Sequence, residues 1–310
     1  MGFNLKQGTH SIGKKARPAF TAAVTLMLAL MLALMSVSAS SATIGYEKNP
    51  NLRDASLRYE VGEEHKLNLK YDVYAGGFKA LNASLVMDLN KKAYDLQLKA
   101  ETQGFIGGLF PWKASYNTSG HADKGLLVPS VYTERSSWKN NEKVTEMDYG
   151  PNGKVLKSTT QDGLKVSVER DIKDVLTKDT VDLLTGTLVM LQSVKNTNHC
   201  AGSFPVFDGK RRFNITLKDN GTEKLEASDY SHFEGEAMRC TLEIVPVAGF
   251  QPKDQKRGWM AVQNHTEERH KLPTLWLARM KDSDQVVPVK MEIASAYGSV
   301  VAHLSGGTDD

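Results

Sequence analysis

The stretch KLNLKYDVYA, residues 66–75, decides the fold class, because its apolar and polar residues alternate. The apolar positions are Leu67, Leu69, Tyr71 and Val73. A period of two is typical of a β-strand that buries one face and leaves the other in water. The stretches LNASLVMDL, residues 81–89, and YDLQLKA, residues 94–100, repeat the alternation after short turns. The sequence therefore predicts three consecutive antiparallel strands, a meander.

Most of the chain downstream shows the same pattern. Alternating runs between turn residues predict further strands at 112–121, 131–139, 142–149, 154–161, 164–170, 213–217, 240–244, 275–280, 286–294 and 299–304. We therefore predict a mainly β fold, one antiparallel meander of about 12–14 strands curled into a barrel or spiral, because curling reduces exposed edges. The predicted β domain spans residues 65–305, after a lead-in at 43–64 and before a tail at 306–310.

One segment has helical spacing instead. Its apolar residues recur at intervals of three and four, at Leu184, Leu188, Leu191 and Val194. The spacing predicts a helix over Val181–Val194, with Asp179 or Thr180 as its N-cap and Asp182 near its positive end. The apolar stripe predicts that this helix packs against the sheet.

The first 42 residues have the three parts of a secretory signal. A basic start is followed by an apolar run over Ala19–Val37 and by the small residues of Ser38–Ala42. We predict cleavage after Ala42, with Ala39 as the alternative. A second alternative is an uncleaved anchor, because the run approaches the roughly 20 residues of a membrane span. The leader predicts export from the cytoplasm.

Charge argues against one class of partner. The chain has 39 Lys and Arg residues against 36 Asp and Glu. Four of the basic residues lie in the leader, so the mature chain is close to neutral. Nucleic-acid binding needs a basic surface that neutralises phosphates, so we expect no nucleic-acid partner. We expect membrane contact only through the leader, unless it stays uncleaved.

The two cysteines, Cys200 and Cys240, both lie in the exported part. In an oxidising compartment such a pair predicts a disulfide. Its loop of about 40 residues would stabilise the fold by roughly 3–4 kcal/mol. Two free thiols or half of a zinc site are the alternatives, and the lack of a CxxC motif makes the zinc signal weak.

The sequence contains no catalytic signature. It has no HExxH pair, no GxSxG elbow and no phosphate-binding loop. His265 and His270 lie five apart in the charged segment 251–273, which we interpret as a solvated loop rather than a metal site. We therefore predict no catalytic residue, no cofactor and no metal.

Two segments could contact a ligand or partner. In GFIGGLFPW, residues 104–112, the pattern is aperiodic and predicts a loop. It could present the large side chains of a contact site or pack over the end of the barrel as a lid. The predicted contact residues are Phe105, Phe110 and Trp112.

The second segment is DGKRR, residues 208–212. Lys210, Arg211 and Arg212 could meet an anionic lipid, glycan or protein. The alternative is a turn at Asp208-Gly209 that leads into a strand with solvated charges. Arg212 would then pair with a carboxylate across the sheet.

Four stretches together carry a family resemblance. They are VDLLTG (181–186), CAGSFPVFDGKRRF (200–213), EGEAMRCTLEIVPVAGF (234–250) and LWLARMKDSDQVVPVKMEIASAYGSVVAHL (275–304). In this order they resemble the bacterial envelope family catalogued as domain of unknown function 3108, over Leu67–Leu304. The resemblance implies a β-rich periplasmic protein of Gram-negative bacteria and supplies no catalytic residues. The meander with one helix is also similar, at the level of fold, to half-barrel lipoprotein carriers and spiral-barrel envelope-integrity proteins.

The sequence and the resemblance together lead to one functional expectation and one alternative. We expect a periplasmic, non-enzymatic envelope protein that binds a lipid-like ligand or an envelope partner in its barrel or spiral. The alternative is an envelope hydrolase that acts on glycan or peptide.

Overall fold

The computed structural model describes residues 65–123, 125–139, 141–252, 254, 258–268, 271–281, 283–295 and 298–309. The predicted leader, its predicted cleavage site and the predicted lead-in up to residue 64 lie outside the described residues, as does His270. Of the helices in the described part, none combines the length and the apolar character that a membrane span requires.

Within these ranges the chain forms fourteen strands and four helices. The strands are β1 (His65–Ala75), β2 (Phe78–Leu89), β3 (Ala93–Thr102), β4 (Trp112–Asp123), β5 (Leu126–Trp138), β6 (Asn141–Tyr149), β7 (Val155–Asp162), β8 (Lys165–Glu169), β9 (Gly202–Phe207), β10 (Arg212–Leu225), β11 (Gly235–Ala248), β12 (Thr274–Arg279), β13 (Val286–Ser295) and β14 (Gly298–Asp309). The helices are α1 (Gly104–Leu109), α2 (Asp174–Thr177), α3 (Leu183–Thr197) and α4 (Gly258–Glu268).

All fourteen strands form one antiparallel sheet. The chain runs outward from β1 to β8, crosses to β9 through α2 and α3, and returns strand by strand to β14. β14 pairs with β1, so the first and last strands are neighbours and β8 and β9 are the two edges. The predicted antiparallel, mainly β fold is confirmed, and the barrel-like sheet is open between β8 and β9.

Helix α3 fills the concave side of this sheet. It contacts β4 and β5 in one half and β9 and β13 in the other, which requires the sheet to curl around it. Asp182, rather than Asp179 or Thr180, is the N-cap, and it accepts from the backbone N–H of Thr185 at 3.0 Å. The helix therefore begins at Leu183, two residues later than predicted. Asn198 ends the helix in the left-handed conformation.

The core lies between α3 and the inner face of the sheet. Its fully buried large side chains come from both halves of the sheet and from the helix, and include Tyr94, Tyr116, Tyr132, Phe207, Phe213, Leu188 and Leu191. Residues 306–309, which the sequence predicts as a tail, continue β14 and pair with residues 67–70 of β1.

Two segments predicted as loops contain helices. α1 lies in the glycine-rich segment, where Gly107 allows close packing: a Cβ there would lie 2.8 Å from the carbonyl oxygen of Thr102. α4 lies in the charged segment 251–273, and the prediction of a continuous loop there is wrong. Its buried residues are Trp259, Met260, Val262, Gln263 and Thr266 at helical spacing, and two of these five are polar.

Candidate functional site

A groove of about 630 Å³ lies on the outer face of the sheet, the face turned away from α3. It crosses β1 to β6, where outward side chains alternate with the buried ones of the core. This alternation is the direct result of the period-two pattern, because each apolar residue turned inward leaves a polar neighbour turned outward. The groove is therefore lined mainly by polar and charged side chains, with Ala83, Ala100 and Ala114 between them.

The strand register arranges these side chains in two rows. The first, which we call the cationic row, runs directly across five strands as Lys70, Ser84, Lys99, Ser115 and Arg135. The second, which we call the mixed row, runs as Asp72, Asn82, Glu101, Lys113, Ser137 and Glu142. The rows are two residues apart along each strand, or about 7 Å. The cationic row combines three positive charges with hydroxyl donors and contains no carboxylate.

Most of the cations in the groove are free to meet a ligand. Arg135 pairs with Glu146 at 3.3 Å, and half of its side chain stays exposed. The ammonium groups of Lys70, Lys99 and Lys113 form no ion pair with another described residue. An anion in the groove could therefore bind these lysines without breaking an ion pair to another described residue.

The floor of the groove contains an acceptor without a donor. The Oδ1 atom of Asn82 is buried and has no hydrogen-bond partner among the described residues. An unsatisfied buried polar atom costs roughly 1–3 kcal/mol, so a hydroxyl donor from a ligand would be stabilised there. On either side of it, Asp72 pairs with Lys79 at 2.7 Å and Glu101 accepts from Gln103 at 2.8 Å.

Helix α1 lies at the end of the groove nearest the mixed row. It begins three residues after Glu101 and ends four residues before Lys113, and it packs against β2 and β3. Ile106 faces the core, whereas Phe105 and Leu109, one turn apart, are exposed. Phe105 is 78% exposed, and Phe78 at the start of β2 is exposed as well. We call Phe78, Phe105 and Leu109 the α1 patch.

The other two predicted residues of this segment are packed more deeply. Phe110 is half-buried, and its ring lies 6.2 Å from that of Trp138. Trp112 is buried in the core, directly opposite Trp138 in the β4–β5 ladder. Of the three aromatic residues predicted here as contacts, Phe105 is therefore the one at the surface.

The basic cluster at residues 210–212 lies away from the groove. Arg211 is 2% exposed, and its guanidinium donates to the Asp208 carboxylate at 2.7 and 2.8 Å. The predicted turn is present, and Gly209 has a φ of +92°. Arg212 donates to the backbone carbonyl of Val175 at 3.3 Å and forms no ion pair with a described carboxylate, unlike the pairing across the sheet that the alternative predicted. Lys210 is exposed.

Buried carboxylates lie under the N-terminus of α3, on the inner face. Asp182 accepts from the hydroxyls of Thr118 and Thr185 at 3.1 and 2.7 Å. Burial raises the pKa of the Asp182 carboxyl, and burial also raises the pKa of Glu134 nearby. The hydroxyl of Tyr116 is buried without a hydrogen-bond partner among the described residues. This cluster is covered by α3, so it holds the helix against the sheet rather than facing an outside molecule.

The predicted cysteine pair is present as a disulfide. The Cα atoms of Cys200 and Cys240 are 5.6 Å apart, and both residues are fully buried. The bond joins the segment between α3 and β9 to β11. The described residues contain no cluster of three or more side chains that could hold a metal ion.

The groove is the feature that sequence reasoning missed. Each of its residues is an ordinary outward-facing polar residue in its own strand, and only the register shows that they form rows. The signal in the sequence was the recurrence of Lys or Arg and Ser at the same height in successive strands.

An open, barrel-like antiparallel sheet around a helix, with a polar groove outside, defines a β-barrel-like protein. The model of the family "Protein of unknown function (DUF3108)" matches residues 70–305, and the chain belongs to this family, as the sequence resemblance indicated.

Among solved structures, the chain is similar to a β-barrel-like protein of domain of unknown function DUF1849 from Brucella abortus. The two are 10% identical with a TM-score of 0.43, and the match covers 81% of this chain and 98% of that one. No curated protein matches the chain.

Proposed function

We propose that this chain is an exported periplasmic protein of the bacterial envelope that binds a lipid-like ligand without chemically changing it. The observation that carries the proposal is the groove with its cationic row, bordered by the α1 patch. The leader predicted at residues 1–42 supports export. The ligand is proposed on the outer face rather than inside the barrel or spiral, where the sequence led us to expect it, because α3 and the core occupy the inner side.

The order of the surfaces defines the chemistry of this ligand. Moving away from α1, a ligand would meet exposed apolar side chains, then the mixed row, then the cationic row. An apolar tail fits the first, and hydroxyl groups fit the carboxylate and amide acceptors of the second. An acidic group fits the lysines and arginine of the third. The ligand class is therefore an acidic glycolipid-like molecule.

Native mass spectrometry of the protein purified from its own periplasm tests the proposal. We expect the wild type to retain an added mass, and Lys99→Glu with Arg135→Glu to lose it. The matched control is Lys91→Glu with Lys92→Glu, two exposed lysines in the β2–β3 turn outside the groove, which should keep it. A wild type without added mass, or equal retention in both variants, would contradict the proposal.

A second pair of variants tests the apolar part. Phe105→Ser with Leu109→Ser should weaken retention without lowering the melting temperature, since both side chains are exposed. Leu126→Ser with Val131→Ser removes exposed apolar residues elsewhere, on β5, and should have no effect. If both pairs behave alike, the α1 patch is not part of the site.

One observation favours the hydrolase alternative. Asp72 and Glu101 are two strands apart in the mixed row, about 10 Å, close to the separation of an inverting glycosidase. Against it, Asp72 is paired with Lys79, and the open groove lacks the burial that prepares a general acid. Release of reducing ends from envelope glycan by the wild type, but not by Asp72→Asn or Glu101→Gln, would establish the hydrolase.

A further inference from the structure

Within the described part of the chain, the edge strand β8 is uncovered. It pairs with β7 on one side and with no described strand on the other. All five of its residues are exposed, and Val166 and Val168 are 61% and 48% exposed on the same face. An exposed edge with β-branched residues is a template for pairing with another strand.

The sequence of this edge is complementary to itself. It reads KVSVE, with Lys165 at one end, Glu169 at the other and Ser167 in the middle. In an antiparallel pair centred on Ser167, Lys165 lies opposite Glu169 of a second copy, and Val166 lies opposite Val168. Within their own chain, Lys165 and Glu169 form no ion pair with a described residue. The second copy would therefore supply a partner for both charges.

We propose that two copies of this chain associate through β8, in antiparallel register with Ser167 on the two-fold axis. The contact is isologous, so the same strand serves both copies and the assembly closes as a dimer. On one face four valines cover each other, and on the other two Lys–Glu pairs flank the two serines. The pairing joins two fourteen-stranded sheets into one continuous sheet. The proposal does not depend on the ligand groove.

Charge reversal tests the register. In the mature, exported protein, Lys165→Glu places like charges opposite each other at both ends and should weaken dimerisation at least about tenfold. Glu169→Lys should do the same. The double variant Lys165→Glu/Glu169→Lys restores opposite charges and should restore the wild-type dissociation constant. Sedimentation velocity over a range of concentrations measures it, with circular dichroism as the control for folding.

A cysteine placed on the axis tests the geometry. Cα atoms opposite each other in an antiparallel pair are about 4.5–5.5 Å apart, which a disulfide can span. Ser167→Cys should therefore give a covalent dimer on a non-reducing gel after mild oxidation. Gln161→Cys, exposed on β7 one strand away from the edge, should stay monomeric. A wild type that is monomeric at all concentrations, a double charge variant that restores nothing, or no cross-link at position 167 would each overturn the proposal.

Discussion

The two edges of the open sheet, β8 and β9, differ in whether another described segment of the chain covers them. The β9 edge is covered: Val181 forms a parallel bridge with Val206, its carbonyl accepts from Phe207 at 2.9 Å, and its N–H donates to Pro205 at 3.3 Å. Pro205 also has no N–H to offer a foreign strand. The β8 edge has no such cover among the described residues.

Burial differs in the same direction. Phe204, Val206 and Phe207 of β9 are buried in the core against α3, whereas no residue of β8 is buried. Of the two edges, β9 therefore contributes buried contacts to the core, whereas the described residues of β8 contribute none and stay exposed. The following predictions test this division, from the largest expected effect to the smallest.

Removing the disulfide should weaken the β9 side most. We expect Cys200→Ala with Cys240→Ala to lower the free energy of unfolding by about 3–4 kcal/mol, because a loop of about 40 residues is no longer closed in the unfolded chain. Urea unfolding followed by fluorescence measures the change. Wild-type protein unfolded in the presence of a reducing agent should show the same loss, and a fully reduced wild type as stable as the oxidised one would contradict the prediction.

Removing the N-cap of α3 should come next. Asp182→Ala removes the acceptor for the Thr185 N–H and for two buried hydroxyls, and we expect a loss of about 2 kcal/mol. Asp182→Asn keeps an acceptor of similar size and should cost less than half as much. Equal melting temperatures for the two variants would show that the cap does not hold this end of the helix.

The contact between α3 and β9 can be tested by a single methyl group. A Cβ at Gly186 would lie 2.7 Å from a methyl carbon of Val206. We expect Gly186→Ala to lose about 1 kcal/mol, because overpacking outweighs the gain in helix propensity. In a Val206→Ala background the same change should instead stabilise the fold. Additive effects in this double-mutant cycle would mean that the two residues are not packed together.

The smallest effect is expected on the free edge. Val166→Thr and Val168→Thr in β8 should each change the free energy of unfolding of the monomer by less than about 0.5 kcal/mol, because both side chains are exposed in the single chain. Val206→Thr in β9 is the matched control, and it places a hydroxyl in the core at a cost of more than about 1 kcal/mol. Similar losses at the two edges would remove the contrast between them.

The strands could be predicted from the sequence because alternation is a local property. The period of two identified β1 to β4 closely, and the spacing of Leu184, Leu188 and Leu191 identified α3. The predicted disulfide also rested on a simple observation, two cysteines in a chain with a predicted export signal.

The remaining features depend on contacts between distant residues. The sequence did not predict α1 because its segment is rich in glycine. It did not predict the buried face of α4 because that face includes polar residues such as Gln263, whose side chain forms two hydrogen bonds with the backbone of Ile244. Arg211 looked like a surface charge, yet Asp208 allows it to be buried. The groove required the register of six strands, which the pattern within a single strand does not contain.

The pairing of the first and last strands has a consequence for how the chain folds. The Tyr71 hydroxyl donates to the carbonyl of Pro288, 217 residues away, and β1 lies against β14 along most of its length. Contacts this distant in sequence raise contact order and slow folding. The sheet cannot be completed before β14 is available. In a chain that crosses a membrane N-terminus first, the sheet would therefore stay incomplete until β14 has also crossed. Late closure of this kind would keep the sheet open during the membrane export that the leader predicts.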